Sequence, residues 1–416
     1  MHVLCAWVGV NPVTPTKQTL LSRHPVILTD KMRTIFALTA ALALTTIANA
    51  QFEIQDSHTT ASFRGIHSIG NGVAWASGTE GTVLRTTDEG KTWQHCTTPP
   101  DAEKLDFRGI QAFNQNTAIV MSSGKGDLSR LYKTIDGCKT WKLVFTNPDK
   151  EGFWDAIQFV DHKRVSKDKD FGMLVGDPVN KRFAIFLTFD GGEHWERQRK
   201  EAPTAQIGEG LYAASNSSLV VNGIRERGFA TGGPKGSRLI TFTVYPDDTT
   251  QADDLDADAA PGAMPFYFNA KRRWVISQIP LATGTSAGAF SIASRPYGPK
   301  KIGGQLVAVG GDYKSPEASQ GTAALFSSKG SKFSTVQTSP HGYRSSVAYD
   351  APTKTWITVG PNGTDISYDD GKNWSALKPS TQDAPDADKN WNALSLPFVV
   401  GPKGRIGRLR ADALKH

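Results

Sequence analysis

Cysteine is nearly missing from this chain, with three in 416 residues, and methionine is scarce at five. Nine histidines show no H-E-x-x-H or similar spacing, and there is no paired-cysteine ligand set, so no metal site is expected. The apolar run Ile35 to Ile47 is shorter than the roughly 20 residues a helix needs to cross a bilayer. A membrane-spanning protein is therefore not expected. Positive charge does not gather into one face either. Charged residues make up 21% of the chain and the formal net charge is +7, without the basic face that nucleic acid requires. Gly232-Gly-Pro-Lys235-Gly236-Ser237 has the glycines of a phosphate loop but not the helix that must follow one. It reads as a hairpin, and no cofactor is expected.

The first fifty residues stand apart. Met32-Arg33, the apolar run and then Ala48-Asn49-Ala50 have the charged start, short apolar core and small-residue end of a secretory signal. Residues 32–50 are expected to be a signal peptide cut near Ala50-Gln51, preceded by an upstream segment, 1–31, that lies before the true start. The mature chain would be periplasmic or secreted, with its formal charge reduced from +7 to +4. Only Cys96 and Cys138 then remain, each at or just past a turn of consecutive repeats. In an oxidising compartment a disulfide between them is expected, closing a loop of roughly 40 residues worth a few kcal/mol. Two separate buried thiols are the alternative.

What the chain does have is repetition. Thr188-Phe-Asp190-Gly-Gly192-Glu-His-Trp195 is a turn with a mechanism: the carboxylate accepts backbone N–H groups, Gly192 supplies φ > 0, and Trp195 anchors the next strand. The pattern recurs at Thr86 to Trp93, at Ser367 to Trp374, and at Thr134 to Trp141, where Cys138 replaces the second glycine. Around these turns the chain divides into units of four short strands, opening on Phe63-Arg-Gly-Ile66, Phe107-Arg-Gly-Ile110, Phe153-Trp-Asp-Ala156, Gly210 to Ala214, Gly288 to Ile292, Tyr343 to Val347 and Trp391 to Leu394. The seventh unit is one strand short, and Phe52 to Gln55 offers the missing one. The fold class is all-β: residues 51–416 form a single seven-bladed β-propeller, closed by an N-terminal strand that completes the last blade. Radial repetition protects the sheet edges. Each turn tryptophan would pack between blades, and Trp195→Ala should cost roughly 3–5 kcal/mol if that ring is buried. The stretch 246–270, rich in Asp but without the glycine-centred alternation of a calcium loop, reads as a solvated insertion.

These turns resemble the Asp-boxes of bacterial neuraminidase repeats. The units that open on Phe-Arg-Gly-Ile and continue through Gly81-Thr-Val-Leu-Arg-Thr-Thr-Asp88 look most similar to the photosystem II assembly and stability factor family. The resemblance spans residues 52–410 at the level of repeats and weakens in units four and five, which have lost the Asp. It implies a scaffold that binds a nascent membrane or envelope protein. The wider sialidase-like superfamily also holds glycoside hydrolases and lectin-like binders, and the turns do not choose among these.

In a propeller, loops entering the first strands form the usual ligand face. The residues there are Arg64, Arg108, Trp154, Asp155, Glu209, Tyr343, Arg344 and Asn392, with Asp177 and Asp312 at loops that reach the same mouth. Arg64, Arg108 and Arg344 together would bind a carboxylate bidentately. Tyr343 as nucleophile with Glu209 or Asp155 as acid would give a sialidase-like hydrolase. Each has a plainer reading: an arginine paired to a carboxylate on the next blade, or Trp154 as packing. The leading expectation is an exported monomer that binds a protein partner through the arginines. An exo-acting glycosidase and a carbohydrate binder are the rivals.

Overall fold

The structure, a computed structural model, describes residues 51–414 apart from 161–169, 200–201, 225, 246–270, 296–304, 328–331 and 411–412. The expected signal segment and the acidic insertion lie outside the described residues. Seven four-stranded antiparallel sheets stand in a ring, and the first strands of neighbouring blades touch one another around its axis. Those first strands are Phe63–Gly70, Phe107–Ala112, Trp154–Phe159, Leu219–Gly223, Ala287–Ser294, Ser346–Asp350 and Ala393–Ser395. No helix among the described residues is long and apolar enough to cross a membrane.

Phe52–Gln55 supplies the outermost strand of blade seven. It pairs antiparallel with Ile406–Leu409, Phe52 opposite Leu409 and Gln55 opposite Ile406. The seam is bonded further by Phe63 N–H to Gly401 O (3.0 Å) and by Trp93 Nε1 to Gln55 Oε1 (2.9 Å).

The Asp turns work as local hydrogen-bond cages. In blade three Thr188 Oγ1 donates to Asp190 Oδ1 (2.8 Å) and accepts Gly192 N–H (3.0 Å), while Asp190 accepts the N–H groups of Glu193 and His194. Gly192 has φ +88°, and a Cβ there would sit 2.3 Å from Ile119 of the preceding blade, so glycine is required twice over. Cys138 takes the same left-handed conformation at φ +64°. It is disulfide-bonded to Cys96, with the Cα atoms 5.2 Å apart. The turn tryptophans pack as blade wedges: Trp93 meets Phe398 edge-on at 5.5 Å, and Trp374 is 4% exposed. Trp195 is only partly buried, against Phe145 and Phe159. The roughly 3–5 kcal/mol of a buried aromatic therefore applies in full at Trp374 rather than at Trp195.

Two boundaries differ from the sequence reading. Blade four's first strand is Leu219–Gly223, not Gly210 to Ala214, and blade six's begins at Ser346 rather than Tyr343. Gly210 to Ala214 instead crosses the channel mouth. Leu211 N–H donates to Asp177 Oδ1 (3.1 Å), and the Tyr212 ring stacks on Phe290 with centroids 3.9 Å apart.

At every junction around the axis a first-strand N–H is also accepted by the neighbouring blade. Blade by blade, Ala112 N–H donates to His67 Nδ1 (2.9 Å), Phe159 N–H to Gln111 Oε1 (3.3 Å) and Val221 N–H to Gln158 Oε1 (3.0 Å). Ile292 N–H then donates to Ser217 O (2.9 Å), and Val347 N–H to Ser291 Oγ (3.0 Å). Leu394 N–H to Ser346 Oγ (3.4 Å) and Ser68 N–H to Ser395 Oγ (2.9 Å) complete the circle. Each bond satisfies a strand-edge N–H that would otherwise face the channel unpaired.

Candidate functional site

The mouth of the channel is built by one repeated irregularity. In blades one, two, three and five the pairing of the first and second strands skips a residue: between Phe63 and Gly65, Phe107 and Gly109, Trp154 and Ala156, and Ala289 and Ser291. The skipped residues are Arg64, Arg108, Asp155 and Phe290. A bulge bends its strand and re-aims a side chain, and here it does so four times at the same height of the ring. The glycines after the first two bulges yield space to their neighbours: a Cβ would lie 2.3 Å from Ser77 Oγ at Gly65 and 2.8 Å from Asn216 Oδ1 at Gly109.

Arg64 is half-buried and makes no hydrogen bond or ion pair among the described residues. Burial and the like charge of Arg108 hold its pKa below the ordinary arginine value, with Asp106 and the Tyr343 phenol opposing. Arg108 spends only its Nε, on Asp106 Oδ2 at 2.6 Å, and its guanidinium lies 5.9 Å from the centre of the Phe153 ring. Two guanidinium groups thus share an enclosed mouth with terminal nitrogens unspent.

Asp155 faces the same region from blade three. It is 1% exposed, and its Oδ2 has no hydrogen-bond partner among the described residues. Burial first, and then the charge of Asp177, push its pKa well above the carboxylate range against the pull of Arg108. Asp177 is itself raised by burial, opposed by the Leu211 N–H bond. Aromatic rings form the far wall: Phe290 stacks on Tyr212, meets Tyr343 edge-on at 4.8 Å and meets Tyr313 edge-on at 6.2 Å. Burial raises the Tyr343 phenol, with Arg64 opposing.

The remaining expected site residues are engaged in structure. Arg344, expected at the mouth, is 0% exposed and turned into its blade. Its Nε donates to Asp365 Oδ2 (2.7 Å), and its terminal nitrogens bond Asp365, Tyr343 O (2.8 Å) and Asn362 Oδ1 (2.6 Å). The reason is register: Arg344 precedes the strand and is not in a bulge, so nothing aims it at the axis. The arginine triad is therefore a pair.

Glu209 is likewise spent. It receives Arg238 Nε (2.7 Å), Thr231 Oγ1 (2.6 Å) and Gln206 N–H (2.7 Å), which leaves no free proton-transfer position. Trp154 is wholly buried, stacked on Phe145 at 5.3 Å, and offers no platform to a ligand. Asn392 Nδ2 donates to Phe63 O across the closing seam (2.8 Å). Asp312 caps its own turn through Lys314 N–H (2.9 Å). Sequence reading missed Tyr212 and Phe290. Phe290 stands where the arginines stand in blades one and two, and alignment on the residue that follows the bulge would have found it.

Comparison with solved structures gives the fold a context. The chain is similar to YCF48 in a structure titled as bound to D1 peptide, at 16% identity and TM-score 0.55, over 88% of this chain and 98% of that one. It is also similar to the GH74 xyloglucanase of Xanthomonas campestris, at 13% identity and TM-score 0.53, over 87% of this chain but 54% of that one. At these identities the likeness shows the propeller fold alone. No family model and no curated protein matches the chain.

Proposed function

We propose that this chain is an exported binding propeller, an assembly-factor-like scaffold that takes an acidic group of an envelope or membrane-protein partner at its channel mouth. The observation that carries the reading is the pair of bulge arginines: Arg64 without a hydrogen bond or ion pair among the described residues, and Arg108 with its terminal nitrogens unspent beside it. Guanidinium forks favour a carboxylate, and the part-exposed ring of Tyr212 with the exposed ring of Tyr313, backed by buried Phe290 and Tyr343, suits the apolar part of a peptide. The Asp-box resemblance and the secretory-type start agree with an exported protein of this kind. YCF48, of the same fold, is a propeller whose structure holds a peptide.

Hydrolysis fits the mouth less well. A retaining or inverting glycosidase needs two carboxyl groups facing the substrate. Glu209 is held by Arg238, Asp106 is paired to Arg108, and Asp155 is 1% exposed. Tyr343 has no carboxylate among the groups acting on its phenol, so nothing activates it as a nucleophile.

The test is fluorescence anisotropy with a labelled short peptide that carries a free C-terminal carboxylate, read against its amidated form. Arg64→Ala and Arg108→Ala should each weaken binding by about tenfold or more, the loss of roughly one charge-assisted bond. Turnover of a fluorogenic sialoside that disappears in Asp155→Asn or Tyr343→Phe would replace this reading with the hydrolase.

A further inference from the structure

All seven first strands run the same way along the axis, so their ends lie opposite the arginine mouth. There the channel widens into a cavity of about 1160 Å³, lined by strand ends and turns of blades one to four with shorter segments of blades five and seven. This is within reach of the largest ligand pockets, which run to roughly 1,000 Å³. Its chemistry is unlike that of the mouth. Thirty residues line it, eight of them Asn or Gln and five Ser, and none is Asp, Glu, Lys or Arg. In a chain that is 21% charged, about six charged residues would be expected among thirty.

From this composition and its unspent groups we infer a second binding site, for a neutral, hydroxyl-rich ligand of the size of an uncharged trisaccharide. Gln158 spends its Oε1 on Val221 N–H, but its Nε2 makes no hydrogen bond among the described residues. The hydroxyls of Ser68 and Ser294, also on the lining, make none either. A carboxamide presents a donor and an acceptor side by side, and a hydroxyl does both in turn, which matches the hydroxyls of a sugar. Phe113 adds an apolar surface to the lining for the C–H face of a ring. The absence of charge disfavours ions: a carboxylate or ammonium would lose its hydration without a partner.

A peptide is the lesser fit. Extended peptides bind sheet edges through main-chain groups, and at each of the seven junctions a first-strand N–H is already taken by the ring of bonds between blades. Side-chain amides and hydroxyls are what is left. The cavity also has no carboxyl pair, so the site would hold a glycan without cleaving it.

The experiment is calorimetric titration of the full chain with maltotriose, cellotriose and tri-N-acetylchitotriose, and with triglycine amide as the peptide control. At least one saccharide should bind at one site. Gln158→Glu keeps the acceptor for Val221 N–H and replaces the donor with a second, charged acceptor, and it should weaken that binding about tenfold or more in a chain that circular dichroism shows still folded. Ser294→Trp, which pushes a ring into the cavity away from the junction bonds, should weaken it as well. Arg64→Ala, which disables the opposite mouth, should leave it unchanged and so separates this site from the proposed partner site. Failure of all three saccharides to bind overturns the inference. So does saccharide binding that survives both cavity variants, or binding of triglycine amide alone.

Discussion

Two ends of one channel are made by the same seven strands, yet they hold opposite kinds of chemistry. At the entering end, bulges turn Arg64, Arg108, Asp155 and Phe290 out of the ladder, and their polar groups are left largely unspent. At the leaving end, where only blades one and four skip a residue (between Ser68 and Gly70, and between Val221 and Gly223), His67, Gln111, Gln158, Ser291, Ser346 and Ser395 spend an atom each on the next blade's N–H. The residue types differ less than the register does. A polar side chain in register serves the ring, while the arginines at the bulges of blades one and two keep their terminal nitrogens unspent. Arg344 shows the same rule from the other side: an arginine at the right point of the repeat but outside a bulge is absorbed into its blade.

The sharpest way to break this comparison is to exchange Arg344 and Arg64 for alanine in turn. Arg344→Ala leaves Asp365 buried without its main partner and should cost about 3–5 kcal/mol in urea denaturation. Arg64→Ala should stay within about 0.5 kcal/mol of wild type. Equal costs would mean that the bulge does not free its residue.

A smaller effect is expected at the leaving end. Ser291→Ala removes the acceptor of Val347 N–H in a fully buried position and should cost about 1–3 kcal/mol. Ser294→Ala, three residues on and outside the ring, should fall within about 0.5 kcal/mol.

The third test is of pH. The Asp155 pKa is raised in the folded chain, so the folded state binds this proton more tightly than the unfolded state does. Stability from this group is present at acid pH and is lost as pH rises from the ordinary carboxylate range through the raised folded value. Asp155→Asn mimics the neutral acid and removes that loss. Its melting temperature should equal wild type near pH 4 and exceed it increasingly toward pH 8.

The subtlest test concerns Asp88, whose Thr92 bonds lower its pKa to about 2. Its contribution is present above the ordinary carboxylate pKa and fades as pH falls toward about 2. Thr92→Val should move its carboxyl chemical-shift titration upward and lower the melting temperature slightly more at pH 7 than near pH 2.

The architecture was legible because its determinants are local. The Thr-x-Asp-x-Gly-x-x-Trp turn carries its own hydrogen bonds and its own φ > 0 residue, so four copies set the repeat length, and counting strands exposed the missing one that Phe52–Gln55 supplies. Where the turn had decayed, in blade four, the first strand was placed too early: Gly210 to Ala214 has the apolar content of a strand but is pinned across the mouth by Asp177 and Phe290. The site was half legible. Phe-Arg-Gly-Ile marked Arg64 and Arg108, while the fate of Arg344 and Glu209 depended on Asp365 and Arg238, partners distant in sequence. The interblade ring has its own trace in the sequence, a polar residue three places after each bulged one, in Gly65-Ile-His67, Gly109-Ile-Gln111 and Ala156-Ile-Gln158.

Blade seven has a consequence for how the molecule comes to exist. Its sheet draws on both extremes of the described chain, and Arg410 N–H reaches Gln51 O at 3.0 Å. A chain emerging from its N-terminus can stack six blades in order, but Phe52–Gln55 must wait without a ladder until the last strands arrive. Closing so long a loop carries an entropic cost that the hairpin pairings within the other blades do not bear. During that wait the orphan strand is an unpaired β edge, the feature most in need of a chaperone's cover.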